Sequence, residues 1–465
     1  MPILIPDLLY QADAFVPGRA LQYDDGRITR IAPADELDGP DAIRLRGRAL
    51  MPGFVNAHSH AFQRVIRGRT QSRPAAGDVA DFWTWRVAMY RAALALEPAD
   101  VHAVSRFCFI EMLRAGITTV GEFHYLHNDP RGAPYADRAE LAHAVIRAAR
   151  DAGIRIRLLN VCYATGGIDR PLEAGQRRFA TPDLDEFVST TAALADGAAG
   201  DPLVGIGVAA HSIRAVPRAW LRPLHDWAAG RDLPFHMHVS EQVAEVDACR
   251  GAFGLRPVEL LHGAGVLDGR FTAVHATHIG DDEVALLAGA GATVCACPTT
   301  ERDLGDGFLR ARDLVHAGAH IALGTDSQTV IDMLEEMRLI EYHERLLRRE
   351  RVVVTAPGGA AAALAPAAVL IRMATTAGAR SLHLPVGVLE QGARADLIAI
   401  DLEHHTLAGW TADTLAALIA LSAPADVVAD VWVGGRSVVR GRVHDAQADA
   451  ASAFTALSRR LAEGS

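Results

Sequence analysis

The feature that most constrains this chain is a rhythm of short apolar runs alternating with amphipathic stretches. The runs are Met51–Ala57, Ile117–Val120, Ile154–Val161, Leu203–Ala209, Leu233–Val239, Phe271–His275, Ala292–Ala296 and Ile321–Gly324. Between them lie segments with one apolar face at helical spacing, such as Asp137–Ala152, Asp183–Ala195 and Asp281–Gly289. A short apolar run followed by helical periodicity reads as a strand feeding a helix. Repeated over roughly 280 residues, eight such units predict an α/β fold of the (β/α)8, TIM-like barrel type. Both flanks read differently. Leu21–Tyr23 and Arg27–Ile31 surround Asp24-Asp25-Gly26, a hairpin signal, and Ala395–Asp401, Val427–Val433 and Arg436–Val443 return to short strands near the other end. A chain of 465 residues exceeds one core. The expectation is therefore a small β-sandwich domain built from residues 1–50 and 385–465, with the barrel, 51–384, inserted between them. After Gly324 the pattern is helical to about Arg380, and the Ala-rich Gly358–Ala368 reads as a loop and helix start.

Composition then excludes chemistry. All 46 basic residues are arginine, and no lysine occurs anywhere. A phosphate-binding Gly-Lys-Ser/Thr loop, a Schiff-base lysine and a carbamylated-lysine bridge between two metals are all impossible. The formal charge of −10 and the absence of a basic block exclude a nucleic-acid footprint. Five cysteines without a C-x-x-C fit a reducing compartment better than a disulfide scaffold. No apolar run reaches the roughly 18 residues of a membrane span, and Met1–Tyr10 has no cationic leader region. A cytoplasmic location is the expectation.

The histidines fall where such a barrel would use them. His58 and His60 end the first run, and residues i and i+2 of a strand share a face. His238 ends the fifth run, His275 the sixth, and Asp326 follows the eighth. One mouth of the barrel would thus receive groups from four strands at the end where these folds keep their active sites. Neutral imidazole is a common ligand of zinc and other transition metals. Other candidates read as structural. His236 lies deeper in its strand, His278 falls in a loop, and His124 and His127 suit supporting roles. Cys295 and Cys297 share a face and read as core.

Several stretches carry a resemblance. Pro52-Gly53-Phe54-Val55-Asn56-Ala57-His58-Ser59-His60, with the later histidines and aspartate, resembles the amidohydrolase superfamily. Ala61-Phe62-Gln63, Phe82-Trp83-Thr84-Trp85-Arg86, Glu122-Phe123-His124-Tyr125, His275-Ala276-Thr277-His278 and Leu304-Gly305-Asp306-Gly307 are similar, more narrowly, to the formimidoylglutamate deiminases. The similarity runs from about residue 50 to residue 350.

The resemblance implies one divalent metal, Zn2+, held by His58, His60, His238 and Asp326. It implies hydrolytic deimination of N-formimino-L-glutamate to N-formyl-L-glutamate and ammonia in histidine degradation. A metal-activated water would attack the formimino carbon, with Asp326 taking its proton, His275 orienting the attacking oxygen and Glu241 carrying protons to the leaving nitrogen. Gln63, Arg86, Tyr125, His211 and Arg214 match the family's substrate-binding positions. Because the chain is itself negative, a dicarboxylate must be met by local cations, and arginine pairs with carboxylates through two parallel hydrogen bonds. The implied partner is this small-molecule dicarboxylate, with neither nucleic acid nor membrane, and a homodimer is left open. Three other readings stay open: deamination of a purine, pyrimidine or adenosine derivative, removal of another imino or halide group, and an inactive barrel scaffold.

Overall fold

The eight apolar runs become eight parallel strands: β1 (Phe54–Ser59), β2 (Ile117–His124), β3 (Arg155–Cys162), β4 (Val204–Ser212), β5 (Phe235–Val239), β6 (Phe271–His275), β7 (Thr293–Ala296) and β8 (His320–Leu323). The computed structural model describes residues 1–72, 80–356 and 365–463. The strands pair in sequence order. Ser59 bridges Asp326 to complete the ring. There the His60 N–H donates to Asp326 O at 2.9 Å and the Asp326 N–H to His58 O at 3.0 Å. Every residue of β1 and β2 is buried, because helices cover the outside of the ring and side chains fill the inside.

The first run begins later than its apolarity suggests. Met51 and Pro52 end a strand of the other sheet, Ala42–Pro52, and Gly53 makes the break. A Cβ at Gly53 would lie 2.2 Å from Thr118 Oγ1, so only glycine passes there. Eight strands from the two ends of the chain form one mixed sheet. Its central strand, Ala42–Pro52, runs parallel to Ile3–Gln11 and antiparallel to Leu397–Asp401, so both chain ends meet in neighbouring strands. The hairpin at Asp24-Asp25-Gly26 forms as its sequence predicts, with Asp25 and Gly26 at φ of 45° and 71°. Leu4, Leu9, Leu21, Ile28, Leu397 and Trp432 share the core of this sheet.

A buried ion pair joins the two sheets. Arg155, at the start of β3, donates from Nε and Nη2 to the two carboxylate oxygens of Asp396 at 2.7 and 2.9 Å. Asp396 also accepts the Gly434 N–H at 2.6 Å. The helical stretch after Gly324 resolves into Met333–Arg348 and a second helix starting at Pro366. Residues 358–364 of the Ala-rich segment lie outside the described residues.

Candidate metal centre and active site

The C-terminal ends of the strands bring the predicted histidines together. His58 Nε2 lies 3.1 Å from His60 Nε2 and 3.2 Å from His238 Nε2. Asp326 Oδ1 is 3.4 and 3.3 Å from the first two nitrogens. The backbone shape here is unusual: Ser240, His275, Ala276 and Asp326 all have φ between 43° and 70°, the left-handed region that side-chain-bearing residues avoid. Gly324 allows the closest approach, since a Cβ there would sit 2.8 Å from His58 Cβ.

The outer nitrogens decide what the inner ones can do. His60 Nδ1 donates to Phe123 O at 2.9 Å and His238 Nδ1 to His211 O at 3.0 Å. Those bonds select the tautomer whose Nε2 carries a lone pair. Burial, reinforced by His58, pushes His60 down to about 3, and burial also lowers His58 and His238. The lone pairs of His60 Nε2 and His238 Nε2 then converge on His58 Nε2, which has at most one hydrogen to share among them and Asp326 Oδ1. A cation between them removes the conflict. A tetrahedral ion bound at about 2.0–2.1 Å would space its nitrogens about 3.3 Å apart, which the observed separations match. The donor set can hold a metal.

Beside it lies a group of proton carriers. His275 Nε2 is 3.8 Å from both Glu241 Oε1 and Asp326 Oδ2, and its Nδ1 is 3.3 Å from Glu301 Oε1. Burial works against charge on His275, but Glu241, Glu301 and Asp326 together raise its pKa well above the usual range. Burial opposes the ionised form of Asp326 too, yet its hydrogen bond to His58 and the nearby imidazoles hold it below the normal carboxylate range. Glu241 moves the other way, raised chiefly by burial. Two carboxyls of opposite tendency around one imidazole can take up a proton and hand one back.

A cavity of about 440 Å3 opens onto this cluster. Gln63, Arg86, Tyr125, His211 and Arg214 line it together with His60, His238, Glu241, His275 and Asp326, while His58 lies beneath them. Gln63 donates to Tyr125 Oη at 3.0 Å, leaving its own buried Oε1 without a partner in the protein. The Arg86 guanidinium stacks over Trp83 at 4.5 Å and Tyr90 at 5.4 Å, and no carboxylate pairs with it among the described residues. Arg214 is not free in this way. Its Nη2 is 3.4 Å from Glu241 Oε2, and its Nε faces Glu245 Oε2 at 3.2 Å in an ion pair that lacks hydrogen-bond alignment.

The histidines set aside on sequence stay outside the cavity lining. His236 Nε2 donates to Ser381 O at 2.8 Å, His127 Nε2 donates to Val161 O at 2.7 Å, and His124, the last residue of β2, is buried. Cys295 and Cys297 are buried free thiols, and the Cys297 Sγ–H donates to Cys295 O at 4.0 Å. Sequence reasoning missed Glu245, Glu301 and Tyr163. Glu245 and Glu301 follow the β5 and β7 ends within a few residues, the spacing that reaches a barrel mouth. Tyr163 stands one residue past β3, meets the His211 ring edge to face at 4.6 Å and accepts from Gln176 Nε2 at 3.0 Å.

Glu122, on β2, braces the far side of the paired histidines by accepting from Ser59 Oγ and from the Ala61 N–H. Burial lifts its pKa from 4.5 to about 8. The folded state therefore holds a proton that the unfolded state has lost. That contribution is complete below 4.5 and is lost as pH rises toward 8. Glu122→Gln removes this loss, so its stability relative to the wild type should climb by up to about 1.4 kcal/mol per pH unit across the window. Urea unfolding of both proteins at about pH 5 and about pH 8 measures it. A difference independent of pH contradicts the assignment.

Comparison with known proteins gives consistent results. The Amidohydrolase family profile matches residues 49–438. A formimidoylglutamate deiminase from Pseudomonas aeruginosa is 38% identical over 436 residues, covering 92% of each chain. A 5-methylthioadenosine/S-adenosylhomocysteine deaminase from Haloarcula marismortui is 30% identical, covering 86% of this chain and 83% of its own. Among solved structures, an amidohydrolase from Brucella melitensis superimposes with a TM-score of 0.91 at 34% identity, covering 99% of this chain and 100% of its own. An adenosine deaminase from Xanthomonas campestris with bound zinc superimposes at 0.81 and 25% identity, covering 99% and 98%.

Proposed function

The chain belongs to the amidohydrolase family and is a hydrolase of C–N bonds, and from that premise we propose that it converts N-formimino-L-glutamate to N-formyl-L-glutamate and ammonia. His58, His60, His238 and Asp326 would hold a single Zn2+. When bound, the ion supplies a Lewis acid that brings the pKa of a water to roughly 7, giving a nucleophile at neutral pH.

The protein's own groups do the rest. Asp326 Oδ2, kept ionised by its imidazole neighbours and facing His275, accepts the proton released as water adds to the formimino carbon. His275 Nε2, 3.8 Å from both carboxylates, orients the attacking oxygen between them. Glu241 holds a proton more firmly than an exposed glutamate and delivers it to the formimino nitrogen. It then passes on the proton that the added hydroxyl loses as the carbonyl forms, so that the nitrogen leaves as ammonia while the proton on Asp326 restores Glu241. Arg86 and Arg214 receive the substrate carboxylates, and Gln63, Tyr125 and His211 supply hydrogen bonds along the wall.

The observation that carries this reading is Arg86. A guanidinium without a carboxylate partner, held on aromatic faces and turned into the same cavity as the hydrolytic cluster, is a receptor for an anionic substrate end. The aromatic wall also favours a second reading, deamination of an aminopurine derivative, which would use ring stacking. In this chain, however, the face of Trp83 is already covered by Arg86.

The test combines product analysis with metal analysis. Purified protein is expected to hold one zinc per chain and to release ammonia with N-formylglutamate from the formimino substrate. Formamide with glutamate as products, or a protein that binds no divalent metal, contradicts the proposal.

A further inference from the structure

The last residue of β6, His275, and the next, Ala276, are both left-handed, at φ of 70° and 51°. The pleat of the strand therefore does not carry over to the His275 ring, and something else must fix its direction. Glu301, 2% exposed, lies in the first turn of the short helix Pro298–Leu304 that follows β7. Its Oε1 accepts the Cys297 N–H at 2.9 Å and faces His275 Nδ1 at 3.3 Å. The second ring nitrogen, Nε2, is thereby turned into the gap between Glu241 and Asp326.

We propose that Glu301 is the positioning residue for His275, holding the ring by an Nδ1–H···Oε1 bond so that Nε2 is the nitrogen presented to the reacting oxygen. The inference deepens the function proposed above and rests on it for what His275 does. His275, Cys297 and Glu301 also place a nitrogen, a sulfur and an oxygen within 4.8 Å of one another, a spacing a second metal could use. The hydrogen bonds favour positioning over coordination. The Cys297 N–H already occupies one lone pair of Glu301 Oε1, and the proposed bond from the ring Nδ1–H takes the other.

Two variants separate a positioning role from a packing role. Glu301→Met keeps the bulk and removes the acceptor. Glu301→Gln keeps an acceptor, because the Cys297 N–H holds the amide oxygen where the carboxylate oxygen stood. Groups that orient a catalytic imidazole from behind typically contribute about 10–100-fold. Glu301→Met should therefore lower kcat by about 100-fold with KM changed by less than about threefold and metal content unchanged, and Glu301→Gln should recover most of that loss. Ratios are taken on whichever substrate the wild type turns over. A wild type inactive on N-formimino-L-glutamate but active on an aminopurine thus refutes the substrate reading and leaves this test intact. Crystal structures give a readout independent of activity: the His275 ring should rotate from its position in Glu301→Met, or in Glu301→Ala if the methionine variant fails to fold, and keep it in Glu301→Gln. An unmoved ring, a kcat within about threefold of wild type, a glutamine variant no better than methionine, or a second metal lost with Glu301 would each overturn the proposal.

Discussion

Replacing Glu241 with glutamine is expected to lower kcat by at least about 1,000-fold while zinc stays bound and KM moves only a few-fold. Glutamine preserves the volume of the side chain and can still accept the Arg214 Nη2–H that Glu241 Oε2 now faces at 3.4 Å. What it removes is a carboxyl that can hold a proton in a buried site. An amidine nitrogen leaves poorly until it is protonated, so the loss falls on the chemical step and not on binding. The proposed metal donors His58, His60 and His238 do not include Glu241, and the outer nitrogens of His60 and His238 are anchored on backbone carbonyls. Metal analysis on the same preparation therefore separates the two roles. A variant within about tenfold of wild-type kcat would show that another group carries the proton.

Arg214→Met should reduce kcat/KM for the dicarboxylate substrate by at least about 100-fold, and unlike Glu241→Gln it should also cost stability. Arg214 lies between two buried carboxyls, Glu241 and Glu245, the second of which is fully buried. Removing the cation leaves Glu245 without its salt-bridge partner and Glu241 with only His275 beside it, and deleting one partner of a buried pair typically costs about 3–5 kcal/mol. A double variant, Arg214→Met with Glu245→Gln, removes one of the stranded charges and should regain part of the stability while kcat/KM stays low. Recovery of activity with the stability would mean that Arg214 only offsets Glu245 and does not meet substrate. Unfolding midpoints and steady-state kinetics on the three proteins distinguish these outcomes.

The framework was legible in the sequence because it rests on local rules. A strand that ends in His-Ser-His, or in His-Met-His, aims those rings at one barrel mouth wherever the barrel closes, so His58, His60, His238, His275 and Asp326 could be assembled without coordinates. The hairpin at Asp25-Gly26 needed only its turn residues. Three things were hidden. Met51 and Pro52 belong to the terminal sheet because Gly53, not the end of the apolar run, marks the change of sheet. Glu245 and Glu301 each have a complete local explanation as acidic residues in the first turn of a helix, Val243–Phe253 and Pro298–Leu304. That explanation masks the buried partners, Arg214 and His275, which lie 31 and 26 positions away in the chain. Arg214 itself reads as a free cation until the fold brings both glutamates beside it.

The central claim is that this cavity recognises a formimino dicarboxylate and not a purine ring. The direct measurement is kcat/KM for N-formimino-L-glutamate beside S-adenosylhomocysteine and guanine, on one zinc-loaded preparation under one set of conditions. The arginines of the cavity predict a preference of at least about 1,000-fold for the dicarboxylate, since a site built around buried polar contacts rejects ligands that leave them unpaired. Equal values, or a preference for either purine, would contradict the account.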